Sequence, residues 1–272
     1  MMTTSNVMRR AKAVFVAAVL LFAVSLFQSC GPSKEAVAPP VPEKKAITST
    51  VKILTVNARH SLKEKSDVRR LARLVKSTAA EIVAVQQIER PEEGKEGFDA
   101  VRELGKETDM YNYFGKARFF EGFDSGNALL SMYPMKGMLV HELPVGKGKV
   151  RRSLAFGEVD AGLRTVGVAS TELDDQSSAD RVEESSEIAS FVKQYAGELI
   201  VVCGDFNESS SGKAAAKMQE EFTAANTLQE STAATSQHLY TIKDEKLRPL
   251  SSQKVKAGNG LEGLLVTVEI TQ

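Results

Sequence analysis

Leu199-Ile200-Val201-Val202-Cys203-Gly204-Asp205-Phe206-Asn207-Glu208 is the stretch around which this chain is organised. Its five leading apolar residues include an Ile and two Val, the composition of a strand buried on both faces. Gly204 follows and is expected to stop the run at a sharp turn. Asp205 and Asn207 then stand at the strand's carboxyl end. Read as a site, a carboxylate and an amide oxygen two positions apart on a rigid strand suit a hard cation or a phosphate. Read as local structure, Asp and Asn are simply turn residues.

The remaining composition narrows the class. The 272 residues are 42% hydrophobic and 6% aromatic, with no Trp, and suffice for one globular domain plus extensions. Charge balances at 35 basic against 35 acidic residues, and without the first thirty it stands at 32 against 35, a net charge of −3. That disfavours nucleic acid as a partner, since its binders carry a basic excess. Cys30 and Cys203 are the only cysteines, so no disulfide scaffold is expected. Cys203 lies within the apolar run and is read as a small core residue.

Three zones follow in order. Residues 1–29 carry Arg9, Arg10 and Lys12 and then an apolar run from Ala13 to Phe27 broken only by Ser25. Fifteen residues are too few for a comfortable membrane span and suit an export signal. The run ends in Ser29-Cys30 and resembles a bacterial lipoprotein signal. That resemblance implies lipidation of Cys30, a membrane partner through the lipid, and a place in the cell envelope. The alternative is ordinary secretion in which Cys30 plays no part. Residues 30–50 hold Pro32, Pro39, Pro40 and Pro42 among polar residues, a tether that would reach roughly 60 Å when extended. Residues 51–272 form the domain.

Within the domain the β-branched run Val51–Val56 predicts a strand ending at Asn57. A helix capped by Ser66 or Asp67, a strand over Ile82–Ile88 and a helix closing near Gly105 follow. Strands are expected over Asn127–Met132, Gly137–Leu143, Leu154–Val159 and Thr165–Ser170, and a long helix over Val182–Tyr195 precedes the central strand. A short helix over Gly212–Phe222 and three short strands, Leu239–Ile242, Leu250–Val255 and Leu264–Ile270, complete the pattern. Strands dominate, with helices between some of them. The fold class is therefore α+β, a two-sheet sandwich flanked by helices.

With these strands placed, the chain resembles the endonuclease/exonuclease/phosphatase family of the DNase I-like fold. Val51 to Asn57 is similar to the family's first strand, which ends in a metal-site Asn. Gly126-Asn127-Ala128-Leu129-Leu130-Ser131 with Tyr133-Pro134 resembles an inner strand, and Gly204-Asp205-Phe206-Asn207 matches a family motif fully. The resemblance implies a metal-dependent phosphoesterase using Mg²⁺ or another divalent cation. It also implies catalytic roles for Asp205 and Asn207 and metal contacts from Asn57 and Asp205.

Other family positions are altered. Gln87 stands for the metal-binding Glu, Glu172 for a phosphate-contacting His, and Leu239 for the Asp of an Ile-Asp-Tyr strand. Glu262 and Gly263 stand for a closing Asp-His pair. A divalent ion usually needs one or two carboxylates, and hydrolysis needs a positioned base. The losses predict a catalytically inactive binding module for an unidentified ligand or envelope partner, with no cofactor. The alternative is a divergent phosphoesterase in which Glu172, Asp205 and Glu262 form a rearranged cation site. Reintroducing the family residue at all five altered positions is the minimum change with a chance of producing turnover. The basic stretch Gly146 to Arg152 reads as a solvated hairpin turn with Arg152 facing the cleft, or as a phosphate-gripping loop.

Overall fold

Apolar residues on the strands and helices build two sheets with three hydrophobic layers. The computed structural model describes residues 46–272 except 147–149, 196–197 and 229–235. Cys30, the export signal and most of the tether lie outside the described residues, as does the middle of the basic stretch.

One sheet is built from β1 (Thr48–Asn57), β2 (Ile82–Pro91), β3 (Tyr111–Phe120), β4 (Phe123–Ser131), β11 (Leu247–Gly258) and β12 (Leu261–Thr271), in the order β11-β12-β1-β2-β4-β3. The other holds β5 (Met135–Glu142), β6 (Ser153–Asp160), β7 (Thr165–Glu172), β8 (Leu199–Asp205), β9 (Phe222–Ala224) and β10 (Gln237–Ile242), in the order β5-β6-β7-β8-β10-β9. Each sheet contains one parallel pair, β1 with β2 and β7 with β8. Their crossovers are α1 (Lys65–Thr78) and α3 (Ser178–Lys193). Two shorter helices, α2 (Ala100–Thr108) and α4 (Lys213–Gln219), complete the outer layers.

The inner layer joins the sheets through Ile53, Ala84, Leu129, Val168, Val201 and Val266. Leu71 and Leu104 cover Val56 and Val83 on one outside, and Ile188 and Met218 cover Val202 and Tyr240 on the other. Strand β8 feeds both faces, with Val201 and Cys203 inward and Ile200 and Val202 outward. Its unbroken apolar run follows from that double burial. Cys203 is fully buried, and burial pushes its thiol up to about 12.

Several sequence-based boundaries are corrected. Strand β8 runs through Gly204 to Asp205 instead of turning at the glycine. A Cβ at Gly204 would lie 1.8 Å from the Thr171 carbonyl oxygen, so the glycine permits close strand packing there. Helix α1 is entered through Glu64, whose N–H donates to Asp67 Oδ2 at 3.3 Å. Helix α2 continues past Gly105 and closes on Asp109, which takes the left-handed conformation at φ 57°. Strand β3 was not legible because its charged and aromatic residues at a sheet edge lack clean alternation. The Gly212–Phe222 helix ends at Gln219, and Phe222 opens β9. Strand β1 begins at Thr48, three residues before the expected end of the tether is passed.

Candidate functional site

The two parallel pairs aim their carboxyl ends at one end of the sandwich. In register, Asn57 lies beside Gln86 in one sheet and Glu172 beside Asp205 in the other. Asn57 Nδ2 donates to Asp205 Oδ2 at 2.8 Å, joining residues 148 apart in sequence. Asn57 Oδ1 accepts the Arg59 N–H at 2.8 Å. Asp205 Oδ1 accepts the Asn207 N–H at 3.0 Å, and Asn207 Nδ2 donates to the Leu173 carbonyl at 2.8 Å. Asn207 adopts a left-handed φ of 50°, which Asn tolerates better than most residues. The Asp205–Asn207 segment is thus both a turn at the end of the strand and part of a polar cluster.

A second group of contacts centres on Glu172. The β2 strand carries a bulge between Val85 and Ile88, and Gln87 within it has φ 48°. The bulge re-aims Gln87, whose Nε2 donates to Glu172 Oε1 at 2.5 Å. Arg152, just ahead of β6, forms an ion pair with Glu172 Oε2 and donates from Nη2 to Asp175 Oδ1 at 3.1 Å. The Arg152 side chain is 2% exposed and that of Glu172 7%. Burial pushes the Glu172 carboxyl above the usual carboxylate range; Arg152 opposes this, Asp205 adds to it, and Arg118 opposes it further.

Beneath the cluster lies a buried polar layer that crosses between the sheets. Gln86 Nε2 donates to Thr55 Oγ1 at 3.2 Å and to Ser170 Oγ at 3.1 Å, and Thr55 Oγ1 donates to Gln237 Oε1 at 2.9 Å. Gln237 is the β10 residue paired opposite Asp205, whereas Leu239 pairs opposite Cys203 in the inner core. Leu239 is therefore two residues below the level of the cluster.

Glu262 and Gly263 are placed apart from the cluster's contacts. The Glu262 carboxylate pairs with Lys256 at 3.1 Å and Lys254 at 3.4 Å and is 42% exposed. Lys256 and Lys254 hold it below the usual carboxylate range. A Cβ on Gly263 would lie 2.7 Å from the Thr55 carbonyl oxygen and 3.1 Å from Leu54, on the helix-covered side of the sheet. Of the sequence-derived positions, Asn57, Asp205 and Asn207 are brought together. Gln87 and Glu172 join each other beside them.

The histidines divide. His238 is fully buried, with Nε2 2.9 Å from the Glu208 carbonyl and Nδ1 2.8 Å from the Tyr240 hydroxyl, and it stacks on Phe206. His60 is nearer the cleft, 2.8 Å from Glu89 and stacked on Phe120. Burial lowers its pKa more than Glu89 raises it. An open cleft of about 490 Å³ runs beside the cluster between Arg118, Phe119 and Phe120 on one wall and Arg151, Arg152 and Asp175 on the other. Sequence reading found Arg152 but missed Arg118 and Asp175, which stand on strands and loops with no motif around them.

No family model and no curated protein matches the chain. Solved structures do. An endonuclease/exonuclease/phosphatase structure from Beutenbergia cavernae superposes with a TM-score of 0.66 at 18% identity, covering 81% of this chain and 72% of that one. Another from Bacteroides vulgatus gives 0.65 at 14% identity, with 82% and 99% covered. The human Nocturnin catalytic domain, solved with a sulfate anion, gives 0.61 at 13% identity, with 84% and 97% covered. This chain has the DNase I-like fold.

The family resemblance implies a divalent cation, and the donor set here does not fit one. Such an ion needs several oxygen lone pairs turned toward one point. Both oxygens of Asp205 already accept N–H groups. Glu172 is held by an amide on one oxygen and a guanidinium on the other. Among the described residues, no group of three or more His, Cys, Asp or Glu side chains is arranged to hold a metal.

Proposed function

We propose that this domain is a non-catalytic binding module, anchored in a bacterial cell envelope through lipid on Cys30, that uses a former phosphoesterase cleft to hold a ligand or another envelope component. The observation carrying this reading is the Gln87–Glu172–Arg152 network. It occupies positions where the family resemblance places a metal carboxylate and a phosphate-contacting His. With the Gln87 amide on one Glu172 oxygen and the Arg152 guanidinium on the other, the network leaves no free carboxylate there to take a metal or act as a base. Glu172 also sets a negative group where a phosphate would approach, although Arg152 screens it. The cleft walls, with Phe119, Phe120 and the guanidinium groups, offer surfaces for a ligand.

The test is turnover. The purified domain, given saturating Mg²⁺, Mn²⁺ or Ca²⁺, is expected to leave generic phosphomonoesters and phosphodiesters at the uncatalysed rate. Robust turnover that disappears in Asp205→Ala would overturn the reading. The chain would then be a divergent metal-dependent phosphoesterase acting outside the cytoplasm.

A further inference from the structure

We propose that the Arg152 guanidinium is the resident cation of this site, neutralising Glu172 where a DNase I-like fold would otherwise hold a divalent metal. The inference builds on the non-catalytic reading and adds what replaced the metal. Glu172 and Asp205 are register partners at the ends of adjacent parallel strands, 5% and 2% exposed. Neighbouring strands lie only about 4.8 Å apart. Two buried carboxylates that close repel each other, and each is costly without a counter-charge. Arg152 supplies one from inside the protein.

Three features make it a built arrangement. Arg152 is fixed from its other side by Asp175, so its positive charge lies between two carboxylates, with Nη1 toward Glu172 and Nη2 toward Asp175. Arg118 lines the same cleft as Arg152 and adds a second positive charge toward Glu172, with Asp175 at the rim. Gln87 then fits as an amide, because its Nε2 must donate to Glu172 and a carboxylate there would repel it. The changes at positions 87 and 172 thus read as one concerted replacement. Glu172 gives the guanidinium its partner, and Gln87 removes the competing charge while satisfying the remaining oxygen.

Thermal unfolding of the purified domain tests this, in chelator and in saturating Mg²⁺, Mn²⁺ or Ca²⁺. Wild type is expected to melt at the same temperature in all four. Arg152→Met is expected to melt about 10 °C lower in chelator, as for a buried charge left alone. Mn²⁺ or Ca²⁺ should return at least half of that loss, since an ion can then take the guanidinium's place against the freed Glu172 oxygen. Arg152→Met combined with Glu172→Gln should recover without metal. Arg152→Lys should stay close to wild type. If Arg152→Met does not fold, the double variant and Arg152→Lys decide: both must fold with near-wild-type stability in chelator. A wild-type melting temperature raised by several degrees in a divalent ion overturns the proposal. So does an Arg152→Met variant that is as stable as wild type, or one that neither metal nor Glu172→Gln recovers. Phosphoester turnover is a separate readout, so a failure of the functional reading is seen independently of this one.

Discussion

At the scale of single residues, Glu184 shows how burial changes what a side chain does. It lies on α3, 1% exposed, and its Oε2 accepts the Asp174 N–H at 2.8 Å. Burial pushes its carboxyl up to about 7; the Asp174 N–H and Arg152 oppose this, and the Asp174 and Asp180 charges add to it. The folded value exceeds the unfolded one, so the protonated form is favoured by folding. Its contribution is complete below about pH 4.5 and is lost as pH rises through about 7. Replacing it by Gln keeps the oxygen acceptor and removes the titration. Glu184→Gln is therefore expected to be more stable than wild type at pH 8, by up to about 3 kcal/mol, and equal to it near pH 4. Denaturant melts of both proteins across pH 4–8 check this; parallel curves would show that Glu184 does not titrate in this range. The helix was legible from Val182, Ile188 and Val192, but nothing in that spacing says that Glu184 also faces inward.

At the scale of elements, register decides which residues reach the site. Strand β12 pairs with β1 so that Gly263 lies opposite Val56. Side chains alternate across a strand, so moving one residue changes the face. The resemblance put a family His at Gly263, yet that position faces Leu54 and Val56 under the helices. Gly263→His would force the first atom of its side chain against the Thr55 carbonyl oxygen, 2.7 Å away. The expected result is a loss of about 3 kcal/mol or more, as for overpacking, with no gain of turnover. Urea unfolding and a phosphodiester assay of the variant measure both; a stable Gly263→His protein would mean that β12 can shift. The five-position restoration suggested by the resemblance is therefore expected to fail at this strand before any chemistry is reached.

At the scale of the whole molecule, the core and the site carry separate requirements. Three apolar layers hold the two sheets and four helices together. Many residues share that work, so the DNase I-like fold persists at 13–18% identity to solved structures. The site depends on a few side chains, and a change in each alters its chemistry. The N-terminal end of β1 at Thr48 leaves the residues from Gly31 to Ile47 between Cys30 and the first strand. In extended polyproline form they would span roughly 50 Å, room to hold the domain clear of a membrane. Cys30→Ala is expected to move the protein from the membrane to the soluble fraction on cell fractionation. Persistent membrane association, or a mature protein that keeps residues 1–29, would refute the lipid anchor.

The sequence by itself determined most of the strands, the central one among them, the helices that lie between them, and Asn57, Asp205 and Asn207 as the residues that meet at one end of the sandwich. These are written in apolar periodicity and in short motifs, which act over a few neighbouring residues. Only the tertiary structure decided that Asn57 bonds Asp205 across 148 residues and that Glu172 is gripped by Arg152 and Gln87. It also decided that Leu239 sits in the core and that Glu262 turns to two lysines. Those outcomes depend on strand register, a bulge in β2 and the burial of charges, and each is set by elements far apart in the chain that meet only when the two sheets pack.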